Sequence, residues 1–326
     1  MKSVKIIGTG SYAPERILTN REIEERGLSN DAWIVKNVGI RERHIAAKDQ
    51  ATSDLAVAAG IRAIKDAGLS NKDIDLIIVA TGTPDRPCPS TACIVQKKLG
   101  AFQAAAFDIS AVCAGFIYGF SVAASLIISG NYEKILVIGA DTFSRITDWE
   151  SRDCVYFGDG AGAVVLSSCE VGKGLLGCFL AADGRGYDDF TVKAGGSEEP
   201  ASIETIKNHK HYFSMNGKAV FNSATKVIPM GIRKVLADTG LEVRDIDWLI
   251  PHQPNINILK FCAQELGIPF EKVMVNLDRY GNTVGGTIPL LLDETVKSGK
   301  IKPGDIVVLA GVGAGWTWGA AIIKWV

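Results

Sequence analysis

Unbroken apolar runs recur along the chain in places where alternation would mark a half-exposed strand. LIIVA (76–80), ILVIGA (135–140) and IVVLAG (306–311) contain no polar position. Strands of that kind are covered on both faces, as in parallel sheets sandwiched by helices. The longest apolar stretch, FIYGFSVAASLIISG (116–130), is too short to span a bilayer and carries Ser and Gly throughout, so it reads as a buried helix. The pattern predicts a layered α/β molecule, with helices on both sides of mostly parallel strands. One stretch breaks it. Residues 183–214 are rich in glycine and charge, which predicts surface loops or an insertion near the mouth of a site.

The pattern also repeats. IKDAGLSNKDIDLII (64–78) is echoed by LADTGLEVRDIDWLI (236–250), a displacement of 172 residues from Gly68 to Gly240 and from Asp73 to Asp245. AGFIYGFSVAASLIISGNYEKILVIGA (114–140) is echoed by GGTIPLLLDETVKSGKIKPGDIVVLAG (285–311), 171 residues from Ala114 to Gly285. Two matches in the same order at nearly one offset predict two homologous halves, 1–170 and 171–326.

Composition adds exclusions. The 326 residues carry a formal net charge of −1, which offers no bulk attraction to nucleic acid or to an anionic membrane. The seven cysteines, at 88, 93, 113, 154, 169, 178 and 262, form no CxxC pair and have no histidine close by. That argues against a zinc site and for reduced thiols in the cytoplasm. The N-terminus, MKSVKIIGTGSYAPERILTN, lacks the apolar stretch of a secretion signal.

The chemical candidates sit where the repeat places equivalent strand ends. Cys113, in DISAVCAGF (108–116), stands where a strand hands over to the long buried helix. A helix N-terminus favours the thiolate and lowers its pKa, and the residue's own N–H can serve an oxyanion. His252, in IPHQPN (250–255), follows the strand that repeats DIDLII, and Asn282, in DRYGNT (278–283), falls beside the repeat position of Cys113. All three belong to strand-to-loop ends, where α/β sheets bind ligands. The remaining cysteines at 93, 154, 169, 178 and 262 are assigned to packing, and His44, His209 and His211 to structural hydrogen bonds. IIGTGSYA (6–13) imitates a dinucleotide fingerprint, but the helix that must follow is cut short by PERILTN.

Seven segments together resemble the β-ketoacyl-ACP synthase III branch of the thiolase-like condensing enzymes: GTGSYAPERILTN (8–20), WIVKNVGIRERHI (33–45), DISAVCAGF (108–116), FGDGAGAVVL (157–166), PHQPN (251–255), DRYGNT (278–283) and GAGWTWGAA (313–321). The resemblance runs end to end. It implies a duplicated, five-layered αβαβα fold with two pseudo-twofold-related mixed sheets, and a homodimer. It implies a Cys113–His252–Asn282 triad that loads an acyl group from acyl-CoA and condenses it with a malonyl thioester, carried on acyl carrier protein or CoA. The backbone N–H groups of Cys113 and Ala314 would form the oxyanion hole. Trp33, Arg152, Asn216 and Asn255 would serve the CoA, and no metal or redox cofactor is implied. The alternative is a related acyltransferase of specialised metabolism with another acceptor, or a silent partner subunit. Keeping both His252 and Asn282 favours decarboxylative condensation, since plain acyl transfer needs a base more than a pair of carbonyl donors.

The chain departs from that family pattern in places. Asn37 replaces a second adenine-clamping arginine, and Asn257, Gln264 and Glu265 replace basic residues of the carrier-docking face, leaving Lys218, Lys226 and Lys260. That weakens attraction to an acidic carrier. Cys88, in RPCPST, stands where the family often has a bulky residue that reaches into the partner subunit's acyl tunnel, so its small side chain predicts a longer, branched or functionalised primer. Val284, Gly285 and Gly286 replace a Ser/Ala-rich continuation, with the glycines expected to give room at the triad.

Overall fold

In the computed structural model, which describes residues 2–326, the strands form two main sheets. The first contains β1 (Lys2–Tyr12), β2 (Leu76–Ala80), β3 (Ala105–Ile109), β4 (Lys134–Asp141) and β5 (Gly160–Glu170), in the order β1-β5-β4-β2-β3. The second contains β6 (Gly174–Ala182), β7 (Trp248–Pro251), β8 (Ile306–Gly313) and β9 (Thr317–Lys324), in the order β7-β8-β9-β6. Each is mixed rather than mostly parallel. β2 runs parallel to β3 and β4, and β7 to β8, whereas β5 and β9 pair antiparallel with their neighbours.

Helices cover the sheets in five layers. α1 (Thr52–Asp66) and α2 (Thr91–Leu99) close the outer face of the first sheet, packing Leu55, Ala59 and Val95 against Ile77, Val79 and Ile138. α3 (Gly115–Ile128) and α6 (Thr287–Lys297) fill the space between the sheets, where Phe116, Phe120, Ile288 and Leu291 meet Ile78, Val137, Leu309 and Ile323. α4 (Gly217–Thr239) and α5 (Ile256–Leu266) close the far face, with Ile228, Ile232 and Cys262 on Val308, Ala320 and Ile322. Successive residues of one strand therefore enter different cores, which is why these strands contain no polar position.

The repeat is visible at a single offset of 172. The turn 112–114 matches 284–286, α3 and α6 start at Gly115 and Thr287, and β4 and β8 start at Lys134 and Ile306. The 171-residue alignment of the second pair is thus short by one position, and the counterpart of Cys113 is Gly285. The glycines of GTGSYA lie inside β1 and no helix follows them directly. Side chains at Gly8 and Gly10 would collide with backbone of α1 at Ala63 and Ala59, so these glycines let a helix pack close to the sheet.

Candidate active site

Cys113 occupies the tight turn Val112–Ala114 between β3 and α3, His252 directly follows β7, and Asn282 follows the helical turn Leu277–Tyr280. All three line one cleft of about 720 Å³, part of it open to solvent. Val112 and Val284, repeat positions of one another, both hold positive φ, at 45° and 54°. Such a conformation costs a β-branched residue on the order of 1–3 kcal/mol. The strained positions tip the two turns that converge on the cleft. Gly311 separates two of the candidates: a Cβ there would stand 3.4 Å from His252 Cβ and 3.5 Å from the Cys113 carbonyl.

Hydrogen bonds fix what each side chain offers. The Val284 N–H donates to Asn282 Oδ1 at 2.8 Å, leaving the Nδ2 group of Asn282 as its free donor. His252 Nδ1 lies 2.7 Å from Thr287 Oγ1, which is also 3.0 Å from the Val284 carbonyl. That hydroxyl has one proton. Given to the carbonyl, it leaves His252 protonated on Nδ1 with Nε2 as a base; given to Nδ1, it leaves Nε2–H as a donor. Burial lowers the His252 pKa to about 3, so the ring stays neutral. Among the described residues, no backbone group accepts the N–H of Cys113 or of Ala314.

The thiol itself departs from the sequence expectation. Cys113 is only 8% exposed, and burial pushes its pKa up, with the buried Asp141 carboxylate adding to the rise. A thiol held in that way calls for a base as it reacts. Asp141 was not singled out by the sequence. It accepts hydrogen bonds from Thr81 Oγ1, Gly82 N–H, Thr83 Oγ1 and Gly285 N–H at 2.8–3.1 Å, tying the end of β2 to the Val284–Gly286 turn. Burial raises its pKa to about 6 against those donors. The glycines at 285 and 286 do not give room at the triad. A Cβ on either would press within 3.0 Å of Ala80, Asp141 or Gly160 atoms, so they let the two halves meet closely.

The 3-oxoacyl-[acyl-carrier-protein] synthase III profile matches residues 107–184, and its C-terminal companion matches 236–325. The β-ketoacyl-[acyl-carrier-protein] synthase III of Desulfitobacterium hafniense is 48% identical over 326 residues, covering 100% of this chain and 98% of that protein. The protein of the same name from Caldanaerobacter subterraneus is 50% identical over 321 residues, covering 98% and 97%. The chain belongs to the β-ketoacyl-ACP synthase III family. Among solved structures, the family member from Thermus thermophilus superposes with a TM-score of 0.92 at 39% identity, covering 99% of each chain.

Other positions singled out by the synthase III resemblance fall as follows. Ala314 and Asn255 line the cleft. The Asn255 amide is engaged in capping α5, accepting from Asn257 N–H and donating to the Asn37 carbonyl. Asn216 caps α4 and is exposed between two cleft residues, Met215 and Gly217. The Arg152 guanidinium stacks on the Trp33 ring, 4.2 Å from its centroid. Asn37, in the missing arginine's place, serves the helix caps around it. Cys88 is exposed on the loop before α2, outside the cleft of its own chain. Cys154 and Cys262 are buried and Cys169 and Cys178 half-buried, but Cys93 is exposed, because it faces outward from α2. His44 stacks on Tyr280 and His209 pairs with Asp148, while buried His211 Nδ1 finds no partner among the described residues.

Proposed function

We propose that the chain primes fatty-acid synthesis as a 3-oxoacyl-ACP synthase III. It would transfer an acyl group from CoA to Cys113 and condense it with a malonyl thioester. The observation that carries the reading is the single cleft that holds a buried thiol, a neutral imidazole and a carboxamide whose donor is free. His252 accepts the thiol proton at Nε2 as the sulfur attacks, and the departing CoA thiolate takes it up. The N–H groups of Cys113 and Ala314 hold the oxyanion. In the second half-reaction, Asn282 Nδ2 and the Nε2–H form of His252 donate to the malonyl thioester oxygen. That oxygen becomes anionic only as CO2 leaves, so the donors favour the transition state over the ground state. No step calls for a metal or redox cofactor. The enzyme is expected to release CO2 from a malonyl thioester and form a β-ketoacyl thioester only in the presence of an acyl-CoA; product without CO2 would favour plain acyl transfer.

Acyl carrier protein is the expected malonyl carrier. The exposed lysines 218, 226 and 260 support it, although Glu265 is paired with Arg233 and Asn257 turns to Asn37. The halves 1–170 and 171–326 act as the nucleophile-bearing and donor-bearing repeats. A homodimer is supported by the first sheet's edge strand β3, which leaves Phe107 exposed and one row of backbone groups unpaired. Free cysteines throughout the described residues support a cytoplasmic location, and no described helix is long and apolar enough to cross a membrane. Trp33→Ala is expected to raise the KM for acyl-CoA by about 5–50-fold, the worth of one stacked base, with little change for acyl-pantetheine, which lacks adenine.

A further inference from the structure

The repeat at an offset of 172 gives the two N–H groups assigned to the oxyanion a second set of counterparts. Cys113 corresponds to Gly285, and Ala314 corresponds to Thr142. The two sets differ in what they meet. The N–H groups of Cys113 and Ala314 find no backbone acceptor among the described residues. The Gly285 N–H donates to Asp141 Oδ2 at 2.8 Å, and the Thr142 N–H donates to Thr83 Oγ1 at 2.9 Å. Thr83 Oγ1 donates in turn to Asp141 Oδ1 at 2.8 Å, so one carboxylate closes the second set.

A glycine keeps the first set open. Asp141 corresponds to Gly313, where a Cβ would stand 2.3 Å from the Ala111 carbonyl oxygen and 2.9 Å from the Ala114 nitrogen. No side chain fits there, and the Cys113 N–H is left for a ligand. Asp141 itself is fully buried and lines no part of the cleft. Its effect reaches the cleft through the turn it holds. One residue before Gly285, the Val284 N–H fixes Asn282 Oδ1 at 2.8 Å. The Val284 carbonyl lies 3.0 Å from the Thr287 hydroxyl, which meets His252 Nδ1 at 2.7 Å. Both candidate donors to the malonyl oxygen therefore depend on one turn, and Asp141 pins it.

We propose that Asp141 is a positioning residue for decarboxylation: its carboxylate fills the repeat counterpart of the oxyanion hole as a permanent anion, and so sets Asn282 and His252. The inference rests on the synthase III reading. Four donors converge on this one group, the Gly82 and Gly285 N–H groups and the Thr81 and Thr83 hydroxyls. An ionised carboxylate accepts from all of them, whereas an amide of the same size would turn an NH2 toward one. A misplacement of about 1 Å at the reacting centre costs on the order of 100-fold in rate.

The test removes the carboxylate and then gives an anion back. After loading with acetyl-CoA, Asp141→Ala is expected to release CO2 from malonyl-ACP about 100-fold more slowly, with the KM for acetyl-CoA within about threefold of the wild type. Sodium formate is expected to raise that rate by about tenfold or more, and sodium chloride at the same concentration to leave it unchanged. A wild-type rate in the variant, a loss carried by KM, or no gain from formate over chloride would overturn the role. Thr83→Val removes one donor at constant shape and is expected to slow CO2 release about tenfold, with Thr83→Ser recovering most of the loss. Equal rates for Thr83→Val and the wild type would also overturn it, and this pair decides if Asp141→Ala does not fold. A wild-type enzyme that releases no CO2 would instead overturn the condensing reading beneath the proposal.

Discussion

Asn282→Asp is expected to leave Cys113 able to take an acyl group while lowering condensation by about 10³-fold or more. The substitution is isosteric, and its Oδ1 still accepts the Val284 N–H, so the turn keeps its shape. The change is confined to the other atom, where a free N–H donor becomes a carboxylate oxygen. Losing one donor to a developing oxyanion costs roughly 10²–10³, and placing negative charge beside an enolate adds to that. The enzyme should accumulate as an acyl-thioester when given acyl-CoA and malonyl thioester together. If product formation and acylation fall in parallel, Asn282 serves the first half-reaction rather than the second.

Gly139→Ala is expected to lower stability by about 3 kcal/mol and the melting temperature by roughly 5–10 °C. Gly139 lies in β4, and a Cβ there would collide with the Gly285 carbonyl, with Pro289 Cγ at 3.2 Å just behind it. Backbone cannot give way as a side-chain end does. The displaced Val284–Gly286 turn would release the Gly285 N–H from Asp141, held at 2.8 Å, and shift Asn282 two residues upstream. Activity should fall further than the melting point suggests. Gly196→Ala is the control, since no atom lies within 4 Å of the added carbon and the backbone there is ordinary. Equal melting points for the two variants would contradict the close apposition of the halves.

The apolar strands and the repeat made most of the fold legible, because burial on both faces leaves no polar position in a strand and a duplicated sequence duplicates its elements. Cys113, His252 and Asn282 were legible for the same reason: each ends a repeat-related strand or turn. Other features had no local signal. Asp141 and Thr287 read as an ordinary strand end and helix start, and their roles come from partners 144 and 35 residues away. The upward push on the Cys113 thiol also came from packing, through its burial and the buried Asp141 carboxylate, neither of which shows in DISAVCAGF. The aromatic cluster around Cys113 draws on Phe143, Phe157, Phe190 and Phe213, which share no periodicity and meet only when the interrupting strands Phe190–Val192 and Phe213–Met215 fold back.

The central claim is that a buried thiol, silent at rest, carries the acyl group between two half-reactions. Intact-protein mass spectrometry of the wild-type enzyme and of Cys113→Ala, each mixed with acetyl-CoA and then chased with malonyl-ACP, tests it directly. The account expects one acetyl group on the wild-type chain, mapped to Cys113 and discharged by the chase, and none on the variant. An adduct that survives in Cys113→Ala, or one on the wild-type chain that malonyl-ACP does not remove, would contradict it.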